Sequence, residues 1–92
     1  MQFSFDRSFA RSLRRYDSAQ QLEIKRRIDL FIRALAAEEV STGFGLTKLR
    51  SHLWEIRSGL SERVLFWRTA GEIVFTFVGD HNEVRRFLKY LR

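Results

Sequence analysis

The sequence predicts an α+β domain whose helices pack on one face of an antiparallel sheet. Apolar residues recur with a helical period from residue 8 to residue 39 and again after Gly79. Between these segments, Leu53 to Val78 is rich in β-branched and aromatic residues and is divided by two Gly-containing turns. A chain of 92 residues, 45% of them apolar, can form one hydrophobic core. We therefore expect a single domain over residues 1–92.

The N-terminal half is expected to contain a short strand and a helical hairpin. Polar residues alternate with phenylalanine from Gln2 to Asp6, which indicates a strand with one buried face. A first helix is predicted from about Ser8 to Tyr16. A capping box of Ser18 with Gln21 opens the second helix, whose pattern stops near Glu39. Two helices joined by so short a link must pack antiparallel.

The C-terminal half predicts a three-stranded meander followed by a helix. A flexible loop is expected from Ser41 to Gly45, and Asp80 with Glu83 forms a capping box at the start of the last helix. The predicted strands are Leu53 to Arg57, Arg63 to Arg68 and Glu72 to Val78. Most phenylalanines fall on predicted core stripes: Phe3, Phe5, Phe9, Phe31, Phe66, Phe75 and Phe77.

The charge is strongly positive, with 17 Lys and Arg against 11 Asp and Glu and a net charge of +6. Fourteen of the cations are Arg, the residue suited to bidentate phosphate recognition, so a polyanion or an acidic protein partner is expected. The chain has no Cys and two His, which excludes disulfides and a thiol nucleophile and argues against a multi-histidine metal site. No membrane segment or signal peptide is predicted. We expect a cytoplasmic protein without a metal or cofactor.

Two groups of residues are candidates for chemistry. Alternation along the strands puts Glu55, Arg57 and Arg63 on the open face of the sheet, where they could hold a phosphate and a proton acceptor. A simple cross-strand salt bridge explains the same pattern. His81 begins the last helix, where unpaired N–H groups favour an anion and an imidazole can exchange protons. An exposed His without a role is the alternative.

Other residues are candidates for contact with RNA. Lys48, Arg50 and His52 alternate and could together line a groove for a nucleic-acid backbone. Single-stranded RNA is bound by stacking bases on aromatic side chains. Trp67 on the open face and Tyr90 near the C-terminus are the aromatic residues left for that purpose.

The predicted order of elements and three segments resemble a known family. The segments "LWEIR", "RVLFW" and "FTFVGDHNEVRRFLKYLR" follow the helical hairpin and resemble the RelE/ParE superfamily of bacterial type II toxins, in particular its RelE-like ribonucleases. The resemblance extends from Phe3 to Leu91. It implies a small, basic toxin that cleaves messenger RNA, often on the ribosome. It also implies a cognate antitoxin, acidic and partly disordered, that binds the toxin in a hetero-oligomeric complex.

The resemblance also implies roles for individual residues. Arg63 matches the arginine that contacts the scissile phosphate, His81 the position that transfers a proton, and Arg57 the basic residue that ends the preceding strand. Glu55 stands where some members have Lys, so it is either a carboxylate base or the salt-bridge partner of Arg63. RNA carries its own 2′-hydroxyl nucleophile, so cleavage requires only an acid, a base and cations.

Further positions correspond to RNA contacts in the family. Lys48 and Arg50 lie in the segment where members place RNA-binding lysines. Arg85 occupies the position of a frequent Tyr or Phe, so either Phe87 or Tyr90 supplies the aromatic side chain or this chain lacks that role.

Two other functions remain open from the sequence. The same superfamily contains toxins that poison DNA gyrase without cleaving RNA, and a basic RNA-binding module without activity would have a similar composition. The pair of Arg63 and His81 favours the ribonuclease, because a toxin that only binds protein does not need these residues.

Overall fold

The computed structural model describes residues 1–59 and 61–91, which form three α-helices and a five-stranded sheet. The α+β class, the N-terminal strand, the helical hairpin, the meander and the C-terminal helix are confirmed. No helix in these two ranges is long and apolar enough to cross a membrane. The elements are β1 (Gln2–Phe5), α1 (Arg7–Leu13), α2 (Ser18–Ala36), a 3₁₀ turn (Thr42–Phe44), β2 (Thr47–Arg50), β3 (Leu53–Arg57), β4 (Arg63–Thr69), β5 (Glu72–Gly79) and α3 (His81–Tyr90).

Each α-helix begins after an aspartate. Asp6 caps α1, and Asp80 caps α3 in the capping box with Glu83 that the sequence predicts. The predicted box of Ser18 with Gln21 is displaced by one residue. Asp17 is the cap of α2, because its backbone is extended and its side chain accepts the Gln20 N–H at 2.8 Å.

The strands lie in the order β1-β5-β4-β3-β2. The meander β3-β4-β5 is antiparallel as predicted, and β1 pairs in parallel with β5. Strand β2, antiparallel to β3, is an additional element that the sequence analysis did not predict. It is a four-residue edge strand that is mostly exposed, so it lacks the apolar alternation by which strands are recognised. Phe5, predicted as core, is 53% exposed because it lies on the other edge strand.

A bulge in β5 changes which side chains share a face. Leu65 pairs with Phe77 and Phe66 pairs with Phe75, so Thr76 has no partner on β4. The Thr76 hydroxyl is buried and donates to Asp6 Oδ2 at 2.7 Å. The extra residue puts Phe75 and Phe77 on opposite faces, whereas simple alternation predicted a common face.

Helices cover both faces of the sheet. The face with Phe66 and Phe75 packs against α1 and α2, where Phe31 is fully buried. The opposite face was predicted to be open, but α3 lies over its Leu53 and Leu65. The physical reason is that this face is itself apolar, and α3 has a matching stripe of Val84, Phe87, Leu88 and Leu91.

Candidate functional site

Arg63 and Glu55 form an ion pair on the face of the sheet that α3 partly covers. Arg63 is the first residue of β4. Glu55 lies on β3 and pairs with Leu65, which follows Arg63 by two residues on β4. Arg63 Nη1 donates to Glu55 Oε2 at 3.0 Å. The arginine side chain is 24% exposed and the glutamate side chain 4%. The carboxylate therefore holds one end of a guanidinium that still reaches solvent.

The second carboxylate oxygen of Glu55 is buried without a partner. Within residues 1–59 and 61–91, Glu55 Oε1 contacts no hydrogen-bond donor at bonding distance. A buried carboxylate with only one hydrogen bond is costly unless a cation compensates its charge. Arg63 is that cation, so the two side chains depend on each other for their positions.

Arg57 lies directly opposite Arg63 in the register and is exposed. Its aliphatic stem passes close to the loop before β2, where a Cβ at Gly45 would lie 3.1 Å from Arg57 Cγ. Gly45 has φ of +60°, so the glycine serves both the turn and this close approach. The backbones of the two arginines are thus adjacent at one end of the sheet, while the Arg57 side chain runs towards Gly45 and that of Arg63 towards Glu55.

His81 comes to the same end of the sheet. Arg63 pairs with Gly79, the last residue of β5, and His81 is the first residue of α3 after the Asp80 cap. His81 is exposed, at the positive end of the helix dipole. The register therefore places Arg57, Arg63 and Gly79, two residues before His81, at one end of the meander, with Glu55 two residues further in.

The link between α1 and α2 contacts the start of α3, and sequence reasoning missed these contacts. Arg15 forms an ion pair with Glu83 of the capping box and donates from Nη2 to the Val78 carbonyl at 3.3 Å. Burial raises the pKa of the neighbouring Tyr16 phenol above its usual 10.0, and the Glu83 and Glu62 carboxylates raise it further. No local pattern signals contacts between residues 68 positions apart.

Lys48 and Arg50, both expected to contact RNA, do not share a groove. A bulge between them pairs Lys48 with Trp54 and Arg50 with Leu53. Arg50 binds the C-terminal end of α3, donating to the carbonyl of Leu88 at 2.6 Å and to that of Leu91 at 3.4 Å. Lys48 lies on the other face of the sheet, with Nζ 5.9 Å from the Trp54 ring.

The predicted aromatic contacts differ in exposure. Trp67 is partly buried against Leu53 and Leu65, so it does not lie on an open face. Phe87 stacks on Phe77 with the ring centres 4.5 Å apart. Tyr90 is 79% exposed at the mouth of a cleft of about 410 Å³, and Arg85 is exposed on the outer side of α3. Of the two candidates for the C-terminal aromatic, Tyr90 is the accessible one.

The described residues contain no group of three or more His, Asp or Glu side chains that could hold a metal ion. What the site offers is two guanidiniums, one imidazole and one buried carboxylate. These groups can bind an anion, stabilise added negative charge and exchange protons.

Comparison with solved structures identifies the architecture. The E. coli DinJ-YafQ toxin-antitoxin complex contains a chain that superposes with a TM-score of 0.69 at 7% identity, over 89% of this chain and 93% of the other. The RelB-RelE antitoxin-toxin complex from Methanococcus jannaschii gives 0.67 at 14% identity, over 90% and 95%. The chain has the RelE-like toxin fold. The YoeB dimer from Staphylococcus aureus, with a TM-score of 0.67 at 10% identity over 88% and 97%, extends this likeness.

The likeness to RelE-like toxins lies in the backbone. No family model and no curated protein matches the sequence. At 7 to 14% identity the superposition establishes the RelE-like fold alone. The chemistry of this chain depends on the residues of its own site.

Proposed function

We propose that the chain is the toxin of a type II toxin-antitoxin system, a cytoplasmic endoribonuclease that cleaves messenger RNA and thereby inhibits translation and growth. The observation that carries the proposal is the Arg63 guanidinium, held by Glu55 at the end of the sheet where α3 begins with His81. An arginine oriented by a buried carboxylate, at the same end of the sheet as a second arginine and an exposed imidazole, suits the charge and proton transfers of phosphodiester cleavage.

The reaction proposed is an internal transfer within RNA. The 2′-oxygen attacks the adjacent phosphorus, the bond to the 5′-oxygen breaks, and the products are a 2′,3′-cyclic phosphate and a 5′-hydroxyl. One proton leaves the 2′-hydroxyl and one reaches the 5′-oxygen. His81 supplies one of these transfers and water the other, while Arg63 and Arg57 stabilise the charge that develops on the equatorial oxygens.

Glu55 acts in this proposal as a positioning residue. Its carboxylate is too deeply buried to meet the substrate, since the residue is 3% exposed. It fixes the guanidinium of Arg63 before RNA binds. Such preorganisation lowers the free-energy cost of orienting the guanidinium for the reaction. The carboxylate base considered in the sequence analysis is the less suitable role.

The partner proposed is an acidic antitoxin. The net charge of +6 favours it, and two of the similar structures are antitoxin-toxin complexes. Such a partner would cover the basic surface or displace α3. Displacing α3 would remove His81 from the site, which provides a mechanism of inhibition.

The experiment is a cleavage assay with purified protein, a short RNA and, in parallel, ribosomes carrying a message. We expect 2′,3′-cyclic phosphate ends and an unchanged rate in EDTA. Arg63→Ala and His81→Ala should each lower the rate by about 10² to 10³. Lys25→Ala is the matched control, because it removes one charge from the exposed side of α2. Equal rates for Arg63→Ala and the control would contradict the assignment.

A further inference from the structure

We infer that a second cleft, on the other face of the sheet, binds one nucleotide of a single-stranded RNA. This inference rests on the proposed function, because it names an additional contact for the same substrate class. The cleft has a volume of about 380 Å³ and is lined by Met1, Lys48, His52, Trp54, Arg68, Thr69, Ala70 and Gly71.

The sheet register places this cleft away from the Glu55 and Arg63 pair. Lys48 pairs with Trp54, and Trp54 pairs with Phe66 on the face covered by α1 and α2. Arg68 follows two residues later on that face. Arg68 lies five positions after Arg63 on β4, a distance along the strand of about 17 Å. The cleft is therefore a separate subsite, within reach of the same strand of RNA.

The walls of the cleft are held in place by the backbone. The Arg68 N–H donates to the His52 carbonyl at 2.7 Å, which joins the β2-β3 turn to β4. His52 has φ of +65°, a conformation that few residues other than glycine adopt. On the far side Gly71 has φ of +77°, and a Cβ there would meet nothing within 4 Å. The space in front of Gly71 is thus unoccupied.

The chemistry of the lining favours a nucleotide. Lys48 and Arg68 are exposed cations, His52 is an exposed imidazole, and no carboxylate is among the described lining residues. Trp54 packs against the core, lines the cleft and has the Lys48 ammonium 5.9 Å from its ring. Cations beside an aromatic ring bind single-stranded nucleic acid, since phosphates pair with the cations and bases stack on the ring. An acidic peptide would use the cations but would have no use for the ring.

The test measures binding to an RNA that cannot be cleaved. The probe is a fluorescein-labelled single-stranded 12-mer with every 2′-hydroxyl methylated. We expect Lys48→Ala and Arg68→Ala each to raise Kd about threefold to tenfold and to reduce the salt dependence by about one phosphate contact. Lys25→Ala, the matched loss of one exposed charge, should stay within about twofold of the parent chain.

A second measurement reports on the ring itself. In the Trp67→Phe variant Trp54 is the single tryptophan, so its fluorescence should be quenched when the 12-mer saturates the protein. Unchanged fluorescence at saturation, or Lys48→Ala and Arg68→Ala that bind like Lys25→Ala, would overturn the inference. The inference would also be overturned if Lys48→Ala and Arg68→Ala weakened only the binding of an acidic protein partner.

Further assays show whether the bound RNA is messenger RNA or ribosomal RNA. They also separate a failure of this inference from a failure of the proposed function. If the cleft binds the message, Lys48→Ala weakens binding to the free 12-mer. If it also binds ribosomal RNA, the same variant loses affinity both for the 12-mer and for ribosomes without a message. Either result supports a subsite for RNA. If Arg63→Ala leaves cleavage intact while Lys48→Ala weakens RNA binding, the proposed catalytic site fails and the second subsite stands.

Discussion

Arg63 donates a 3.0 Å hydrogen bond to Glu55 Oε2, and Glu55 Oε1 is buried beside it with no partner in the part of the chain that the structure describes. Removing the arginine leaves a buried, uncompensated carboxylate. Arg63→Ala should therefore lower the free energy of unfolding by about 2 to 3 kcal/mol, below the cost for fully buried pairs because Arg63 is partly exposed. Urea unfolding followed by circular dichroism measures this.

The double variant Glu55→Leu with Arg63→Met separates stability from activity. An apolar pair of similar volume should restore most of the lost unfolding free energy. It should not restore RNA cleavage, because the guanidinium is absent. A double variant that cleaves RNA at the parent rate would show that the pair has only a structural role.

Arg50→Ala tests whether Arg50 binds RNA or stabilises α3. The side chain donates to two carbonyls at the C-terminal end of α3, where a cation also complements the helix dipole. We expect a loss of about 0.5 to 1.5 kcal/mol in unfolding free energy. The Kd for RNA should stay within twofold of that for Lys25→Ala. A larger change in Kd with unchanged stability would instead favour the RNA contact expected from the sequence.

Gly79→Ala tests the close approach of β5 to α3. A Cβ at this position would lie 2.8 Å from Phe77 Cε2 and 3.0 Å from Glu83 Cβ, so the Phe77 ring, α3 or both must shift. We expect a loss of about 1 to 3 kcal/mol in unfolding free energy, together with slower cleavage because His81 moves with the helix. Gly59→Ala is the control, since its nearest contact would be Glu62 Oε1 at 3.6 Å. Equal stability of the two variants would contradict the predicted overlap.

The stability of the fold should depend on pH in the alkaline range because of Tyr16. Its phenol has a raised pKa in the folded chain, so the unfolded chain loses this proton first as the pH rises through about 10. The stabilising effect of the bound proton is complete below that pH and is lost as the pH approaches the folded pKa, so stability falls. Tyr16→Phe should reduce this fall in thermal unfolding midpoints measured from pH 8 to 11. Tyr90→Phe, at an exposed position, should leave it unchanged.

The sequence predicts the fold well where periodicity is long and local. The α2 stripe, the three meander strands and the Asp80 capping box are examples, because each depends on neighbours in the chain. The bulge at Thr76 and the strand β2 were missed because they depend on tertiary partners. Thr76 is held by Asp6 from the other end of the chain, and β2 is stabilised by pairing with β3.

Some residues of the candidate site could be predicted from local sequence patterns, and others could not. Strand alternation placed Glu55, Arg57 and Arg63 on one face, since the meander is regular at that end. It failed for Lys48 and Arg50, because the bulge between them breaks the alternation. The contact of Arg15 with Glu83 has no signal in the sequence, since the link between α1 and α2 meets the start of α3 only after the domain folds.

Mapping of RNA 5′ ends in bacteria tests most directly whether this chain cleaves messenger RNA with Arg63 and His81. Cells expressing the parent chain, Arg63→Ala, His81→Ala or the Lys25→Ala control would be compared shortly after induction. We predict growth arrest and new 5′-hydroxyl ends within coding sequences for the parent and Lys25→Ala, and neither for the other two. Intact messages accompanied by double-strand DNA breaks would contradict the claim and indicate a toxin that poisons gyrase.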